Sequence, residues 1–173
     1  MNELFQNSLQ ATAERVLAEA DSITGIIFAS GKSTFFAGGD LKMISTALPE
    51  QAAELEAYID AMKAALRSIE TLGKPVVAAI NGSALGGGLE IALACHHRIA
   101  LDAKGSKIGL PEVTLGLLPG GGGVTRTVRM FGLQKALMEI LLQGQQRSPQ
   151  AALAVGLVDE VVDTPEAMIA AAK

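Results

Sequence analysis

The chain has 173 residues, a formal net charge of −4, one cysteine and an aromatic content of 3%, which suits a single domain without an intramolecular disulfide. The acidic balance argues against a nucleic-acid partner, because phosphate binding needs a concentrated basic face. No apolar run reaches the ~20 residues of a membrane span and no signal peptide is visible, so a cytoplasmic protein is expected.

Strands and helices are predicted to alternate through the first half of the chain. Apolar residues at helical intervals predict a helix over residues 1–20, and the β-branched run 23–29 predicts a buried parallel strand. A helix is then expected from Pro49 to the glycine stop at Gly73. Residues 75–80 predict a second buried strand. The helix between them has an apolar stripe at Leu55, Ile59, Met62, Leu66 and Ile69.

The second half continues the alternation. We expect helices over residues 87–94, 123–130 and 133–142, and strands over residues 98–101 and 157–162. Ser148 and Thr164 each precede a proline and are predicted to cap two further helices. This pattern predicts an α/β architecture with largely parallel strands, in one domain that covers residues 1–173.

Two glycine-rich turns, residues 35–40 and 81–90, follow the first two predicted strands. Glycine allows a bare backbone N–H to approach a ligand closely. Two such groups aimed at one point form an oxyanion hole, which stabilises charge on a carbonyl oxygen. Parallel α/β sheets bind ligands at the carboxyl ends of their strands. The simpler alternative is that these glycines only permit tight strand-to-helix turns.

Two carboxylates accompany these turns. Glu90 lies in the first turn of a predicted helix, and Glu112 follows Pro111. Taken singly, each fits an ordinary residue at a helix start, where the helix dipole favours negative charge. Taken with two oxyanion candidates, they predict acid/base chemistry next to a carbonyl group.

Other catalytic motifs fail on spacing. A phosphate-binding loop ending at Gly31-Lys32-Ser33 needs glycine where Ile26 stands. The G-x-G-x-x-G dinucleotide pattern needs glycine where Ile91 stands. The G-x-S-x-G elbow of serine hydrolases is absent.

Four polar residues and one thiol receive structural interpretations. His96 and His97 are adjacent in a predicted strand and point to opposite faces, which disfavours a shared metal ion, so no metal site is expected. Cys95 lies in an apolar run and is expected to be a buried packing residue. Arg126 and Arg129 are interpreted as a solvated or interface-facing helix side, or else as a site for an anionic substrate tail.

Three segments, residues 36–42, 78–90 and 109–123, resemble the crotonase (enoyl-CoA hydratase/isomerase) superfamily. Their order and spacing make the resemblance specific, and it covers nearly the whole chain. Residues 107–113 look most like the hydratase part of multifunctional fatty-acid oxidation α subunits. The resemblance implies a ββα spiral with largely parallel sheets. Against that pattern the chain looks trimmed at both ends, without a first strand and without C-terminal helices.

The resemblance also implies roles for individual residues. The backbone N–H groups of Gly39 and Gly87 would hold the thioester oxygen of an acyl-CoA. Glu112 would exchange the α-carbon proton, and Glu90 would orient the attacking water. No cofactor is implied. The substrate-binding residues by resemblance are Ala37, Gly39, Asp40, Leu41, Lys42, Gly86 and Gly87.

Hydration of trans-2-enoyl-CoA to 3-hydroxyacyl-CoA in β-oxidation is therefore the expected activity. Two alternatives stay open: a Δ3,Δ2-enoyl-CoA isomerase, and a non-catalytic scaffold or RNA-binding relative. The family resemblance implies either a homo-oligomer or a complex with a thiolase subunit.

Overall fold

The computed structural model describes residues 3–39, 46 and 48–173. The helices are α1 (Glu3–Ala18), α2 (Ala52–Glu70), α3 (Gly87–Leu93), α4 (Gly123–Phe131), α5 (Leu133–Lys135), α6 (Pro149–Val155) and α7 (Pro165–Ala172). The strands are β1 (Ile26–Ala29), β2 (Val76–Ile80), β3 (Ala84–Leu85), β4 (His97–Leu101), β5 (Ile108–Gly109) and β6 (Glu160–Val162). Short 3-10 turns lie at Ala20–Ser22, Pro49–Gln51 and Glu112–Leu115, and α5 continues as a π-helix over Ala136–Leu141.

All strand pairing between these elements is parallel, in two sheets. The larger sheet has the order β1-β2-β4-β6, and the smaller one pairs β3 with β5. A parallel bridge from Phe36 to Ala84 extends the smaller sheet on the other side of β3. The predicted α/β architecture with parallel strands is confirmed.

The chain repeats a ββα unit three times. In each unit the first strand joins the larger sheet, the second joins the smaller sheet, and a helix follows. The first unit is β1, the Phe36 bridge and α2; the second is β2, β3 and α3; the third is β4, β5 and α4. Because successive units stack in register, corresponding strands become neighbours in both sheets.

Both faces of the larger sheet contact a hydrophobic core. Alternate residues of β2 point to opposite sides: Ala78 lies in the main core, and Ala79 lies in a smaller core with Met168 of α7. The main core also takes the buried stripes of the first three helices. The largest fully buried side chains of the main core, from helices, strands and loops together, are Leu66, Ile69, Ile80, Leu89, Ile108, Leu110, Ile140 and Leu157.

The structure corrects three sequence expectations. Strand β1 lies at the edge of its sheet and is only half-buried, with Ile27 39% exposed, so the prediction of a buried strand was wrong. The helix predicted over residues 133–142 is a single α turn followed by a π-helix. Strands β3 and β5 were not predicted, because two residues carry no readable alternation.

No helix in the described part of the chain is long and apolar enough to cross a bilayer.

The two predicted helix caps are confirmed. The Ser148 hydroxyl accepts a hydrogen bond from the Ala151 N–H at 3.3 Å, and the Thr164 hydroxyl accepts one from the Ala167 N–H at 3.1 Å. Each cap satisfies a backbone donor that has no partner within the helix.

We expect Ser148→Ala to lower the free energy of unfolding by about 1 kcal/mol, because the first turn of α6 loses its side-chain acceptor. Ser148→Asp, which keeps an acceptor at that position, should stay close to the parent protein. Chemical denaturation of the three proteins measures the difference. Equal stabilities for the alanine and aspartate variants would contradict the capping role.

Candidate active site

The candidate site lies where the two strands of the smaller sheet, and the Phe36 bridge beside them, end. Gly38 and Gly39 follow the Phe36 bridge, Gly86 and Gly87 follow β3, and Glu112 follows β5. Carboxyl ends of adjacent parallel strands share one edge, which brings all three segments together. The sequence interpretation had placed the glycine turns at the ends of the two long strands; the short strands after them hold the site.

The two glycine turns contact each other backbone to backbone. Gly38 has φ +92°, and a Cβ on it would lie 3.1 Å from the carbonyl oxygen of Leu85. Gly86 has φ +53°, and a Cβ on it would lie 3.8 Å from the Gly38 Cα and 3.0 Å from Glu112 Oε1. The two turns are therefore in direct contact, and the positive φ angles of Gly38 and Gly86 favour glycine at both positions.

Hydrogen bonds fix this contact. The Leu85 N–H donates to the Phe36 carbonyl at 3.1 Å, and the Gly86 N–H donates to the Gly109 carbonyl at 3.0 Å. Gly87 is the first residue of α3, so its N–H has no acceptor within the helix. An amide in this position is free to serve a ligand.

A cavity of about 500 Å³ opens at these strand ends. Six of the predicted site residues line it: Ala37, Gly39, Gly86, Gly87, Glu90 and Glu112. Asp40, Leu41 and Lys42 lie outside the described residues. Most of the remaining wall is apolar and comes from α2 and from the segment after Glu112, namely Leu55, Ile59, Met62, Leu115, Leu117 and Leu118.

Glu90 is a buried carboxylate on the cavity wall, with only 3% of its surface exposed. Its Oε1 accepts a hydrogen bond from the Gly123 N–H at 2.8 Å. Burial raises the pKa of Glu90, while hydrogen bonds from the Gly123 and Gly121 N–H groups and the positive charges of Arg126 and Lys63 lower it. The hydrogen bond from Gly123 thus fixes the orientation of the carboxylate, and the donors and cations around it offset the cost of burying its negative charge.

Glu112 has fewer partners. Its Oε2 is buried and has no hydrogen-bond partner in the described part of the chain. Its pKa is raised to about 7, mainly by burial; its own backbone N–H lowers the pKa and the negative charge of Glu90 also raises it. A carboxyl group with a pKa near neutrality can both give and take a proton at the working pH, which suits general acid/base chemistry.

The sequence model of the enoyl-CoA hydratase/isomerase family matches residues 2–172 of the chain. The chain belongs to this family. It is 42% identical over 166 residues to the fatty acid oxidation complex subunit alpha of Shewanella amazonensis, covering 95% of this chain and 23% of that protein. It is 48% identical over 149 residues to the protein of the same name from Shewanella loihica, covering 85% of this chain and 20% of that protein.

Solved structures of the family share the fold. An enoyl-CoA hydratase of Bacillus anthracis has a TM-score of 0.85 at 34% identity, over 99% of this chain and 64% of that one. A Geobacillus kaustophilus structure of the same kind has a TM-score of 0.87 at 32% identity, over 99% of this chain and 63% of that one. The predicted crotonase-like fold and family resemblance are confirmed. The chain spans only 20–23% of the length of the curated relatives named above.

Two parts of the candidate site were missed from the sequence. The glycine run before α4 entered the sequence analysis only as part of a segment that resembles the family, without a role, but its Gly123 N–H donates a hydrogen bond to Glu90. A helix start does not require four successive glycines, so the run at residues 120–123 was the sequence feature that could have indicated a backbone contact with a functional group. The apolar stripe of α2 was predicted, but its first half, with Leu55 and Ile59, lines the cavity instead of the core.

His96, His97 and Cys95 do not line the cavity at the strand ends. The Val76 N–H donates to His96 Nδ1 at 3.0 Å, whereas His97 lies 3.8 Å from Asp159, so the two rings serve different partners. Cys95 is buried, as predicted, and burial raises its pKa to about 12. No group of three metal-ligating side chains occurs among residues 3–39, 46 and 48–173.

Arg126 corrects an expectation. Its side chain is only 13% exposed and pairs with Glu70 at 2.9 Å. The interpretation of a solvated helix side was therefore wrong for Arg126. It also does not line the cavity that holds Glu90 and Glu112, so the structure does not support a role in binding a substrate tail there.

The raised pKa of Glu112 predicts a pH dependence of stability. The folded protein binds this proton more tightly than the unfolded chain, whose glutamate pKa is 4.5. Stability is therefore lost as pH rises from about 4.5 to 7, and it is unaffected below that window. Relative to the parent, Glu112→Gln should gain about 1 kcal/mol across the window, well below the full linkage value because the carboxyl is partly solvated.

Denaturant titrations at pH 4.5, 6 and 7.5 measure this gain. Replacement of the exposed Glu166 by glutamine is the control and should show no comparable change. A Glu112→Gln protein whose stability follows that of the parent at every pH would show that Glu112 titrates normally.

Proposed function

We propose that this chain hydrates trans-2-enoyl-CoA to 3-hydroxyacyl-CoA, as a fatty-acid β-oxidation enzyme. The observation that carries the proposal is one cavity lined by two glycine turns in contact, the buried Glu90 and the half-buried Glu112. Family membership and the printed names of the relatives support it. Gly39 and Gly87 are proposed to hold the thioester oxygen through their backbone N–H groups.

The two glutamates are proposed to divide the work. Glu90 is held by backbone donors; it orients the water and accepts the proton that the water loses as its oxygen bonds to the β-carbon. This proton replaces, on the pair of glutamates, the one that Glu112 gives to the α-carbon. Glu112 has a pKa near 7, so it is able to deliver a proton to the α-carbon as negative charge collects on the thioester oxygen. Stabilising that enolate is the task of the two amides, and each such donor is typically worth 10²–10³-fold in rate.

The cavity wall fits the acyl part of such a substrate. Leucine, isoleucine and methionine side chains from α2 and from residues 115–118 face the space beside the glutamates. An apolar pocket with few polar groups binds a hydrocarbon chain and leaves the reacting carbons next to the carboxylates. Ala37, Gly39 and Gly86 are proposed to border the bound thioester, together with Asp40, Leu41 and Lys42.

We expect Glu112→Gln to lower kcat for hydration of crotonyl-CoA at least ~100-fold in the full protein, because the amide cannot exchange the α-proton. The fold should be retained, since glutamine has nearly the same size. Steady-state kinetics and circular dichroism on the same preparation separate the two effects. Near-normal hydration by the variant would eliminate the proposed role.

Glu90→Gln should abolish hydration but leave measurable exchange of the α-proton. The reason is that water loses its orienting carboxylate while Glu112 keeps its proton-transfer function. Deuterium incorporation at the α-carbon of a saturated acyl-CoA, followed by NMR or mass spectrometry, measures the exchange. Equal loss of both activities would mean that the division of labour is wrong.

An isomerase is the second candidate. A Δ3,Δ2-enoyl-CoA isomerase needs one carboxyl that moves a proton beside the thioester, and Glu112 with its raised pKa meets that need. An assay with a 3-enoyl-CoA substrate separates the two activities. Conversion of that substrate by the Glu90→Gln protein would establish isomerisation as a second activity of the site.

The setting of the domain is part of the proposal. The named relatives are subunits of a fatty acid oxidation complex, and we propose that this chain works in a similar assembly, with a thiolase subunit or with copies of itself. A single partial crotonase-like domain over residues 1–173, and a cytoplasmic location, stay predictions. The flanking reading frame tests the context, since a G-x-G-x-x-G after a strand would indicate a following dehydrogenase.

A further inference from the structure

The glycine loop that holds Glu90 lies between two opposite charges. On one side is the Glu90 carboxylate. On the other side is the guanidinium of Arg126, which is paired with Glu70 of α2. The loop residues between them are Gly121, Gly122 and Gly123.

The carboxylate side of the loop has no space for side chains. A Cβ on Gly121 would lie 2.7 Å from Glu90 Oε2, and a Cβ on Gly123 would lie 3.0 Å from Glu90 Oε1. The backbone therefore follows the outline of the carboxylate, and small movements of the loop change both hydrogen bonds to it.

The guanidinium side of the loop is equally close. Gly122 has φ +112°, and a Cβ on it would collide with Arg126 Nη1. The same Nη1 donates to the Gly121 carbonyl at 3.4 Å, while Nη2 lies 2.9 Å from Glu70 Oε2. The Arg126 and Glu70 side chains are 13% and 21% exposed, so solvent screens this pair only partly.

We propose that Arg126 is a positioning residue for Glu90: it fixes the Gly121–Gly123 loop against the Glu90 carboxylate and stabilises the negative charge there. Its consequence for turnover rests on the proposed function, but its effect on Glu90 does not. Arg126 reaches Glu90 only through the loop and through space, and it does not line the cavity that receives the substrate.

The charges around Glu90 are consistent with this role. Arg126 from α4 and Lys63 from α2 lower its pKa against the effect of burial. Glu112 is the like charge across the cavity, since Glu90 raises the pKa of Glu112. The Glu70 carboxylate partly neutralises Arg126. The guanidinium groups of Arg126 and Arg67 both donate hydrogen bonds to Glu70 and lower its pKa, against the effect of burial, so Glu70 carries a negative charge next to Arg126.

In this arrangement, the two residues of the Arg126–Glu70 ion pair have opposite effects on the pKa of Glu90. Removing the Arg126 charge takes away a cation behind the loop, so the pKa of Glu90 should rise. Removing the Glu70 charge leaves Arg126 less neutralised, so the pKa of Glu90 should fall. A purely structural ion pair would instead disturb Glu90 in the same direction from either side.

The test is a pH titration of the Glu90 carboxyl carbon by NMR in the full chain labelled with ¹³C-glutamate, the resonance being assigned by its loss in Glu90→Gln. We expect Arg126→Gln to raise the pKa of Glu90 by about one pH unit, the low end of what an opposite charge nearby produces. Glu70→Gln should lower it. Arg129→Gln changes an exposed cation on the same helix and should leave it unchanged.

Shifts in the same direction for Arg126→Gln and Glu70→Gln, or no shift in either, would overturn the proposal. If Arg126→Gln does not fold, Glu70→Gln alone decides, since an unchanged or raised Glu90 pKa in that protein also overturns it. Arg126→Lys, which keeps the charge but loses the planar fork, should restore most of the Glu90 pKa.

Steady-state kinetics test the same role of Arg126 independently of the NMR titration. In the full protein, Arg126→Gln should lower kcat for crotonyl-CoA hydration about tenfold with little change in KM, and it should move the pH profile with the Glu90 pKa. Arg126→Lys should recover most of the rate. If the parent protein does not hydrate crotonyl-CoA, the proposed function fails while the NMR titration still tests the positioning role.

Discussion

The contact between the two glycine turns is the constraint on which the candidate site depends. The carbonyl oxygen of Leu85 would crowd a side chain on Gly38, and the carboxylate of Glu112 would crowd one on Gly86. Gly88 adds to this, because a Cβ on it would collide with the carbonyl oxygen of Phe36. Any bulk at these positions would separate the strands of the smaller sheet, and the amides and carboxylates would no longer face one cavity.

Removing two neighbouring acids from water, one fully and one in part, is costly, and the two have different environments. Glu90 is stabilised by backbone donors from a loop whose other side is contacted by the guanidinium of Arg126. Glu112 keeps an oxygen without a partner in the described part of the chain, and its pKa rises to about 7. The two environments separate the acids into one that is held and one that exchanges protons.

Local signals made much of the fold predictable. The apolar run of β2, the proline-preceding caps at Ser148 and Thr164, and the stripe of α2 each depend on neighbouring residues. The pairing of Ala84 with Ile108 joins two-residue strands that have no pattern of their own. The edge position of β1 was equally invisible, because its composition is that of a buried strand.

In the candidate site, too, the local features were predictable and the long-range contacts were not. Its acids and glycine turns stood out because unusual residues cluster in short motifs, and the family resemblance assigned them roles. The bond from Gly123 to Glu90 joins residues 33 positions apart, and the pair of Arg126 with Glu70 spans 56. Contacts of that range depend on how the units stack, which no local pattern specifies.

The threefold repeat determines when the site is completed during synthesis of the chain. The first two units contain both glycine turns and Glu90, so a nascent chain that has reached α3 already encodes the amide pair. The donors for Glu90 arrive only with Gly121 and Gly123, which follow β5. Until then this carboxylate has to stay hydrated, so the last unit to emerge is the one that permits its burial.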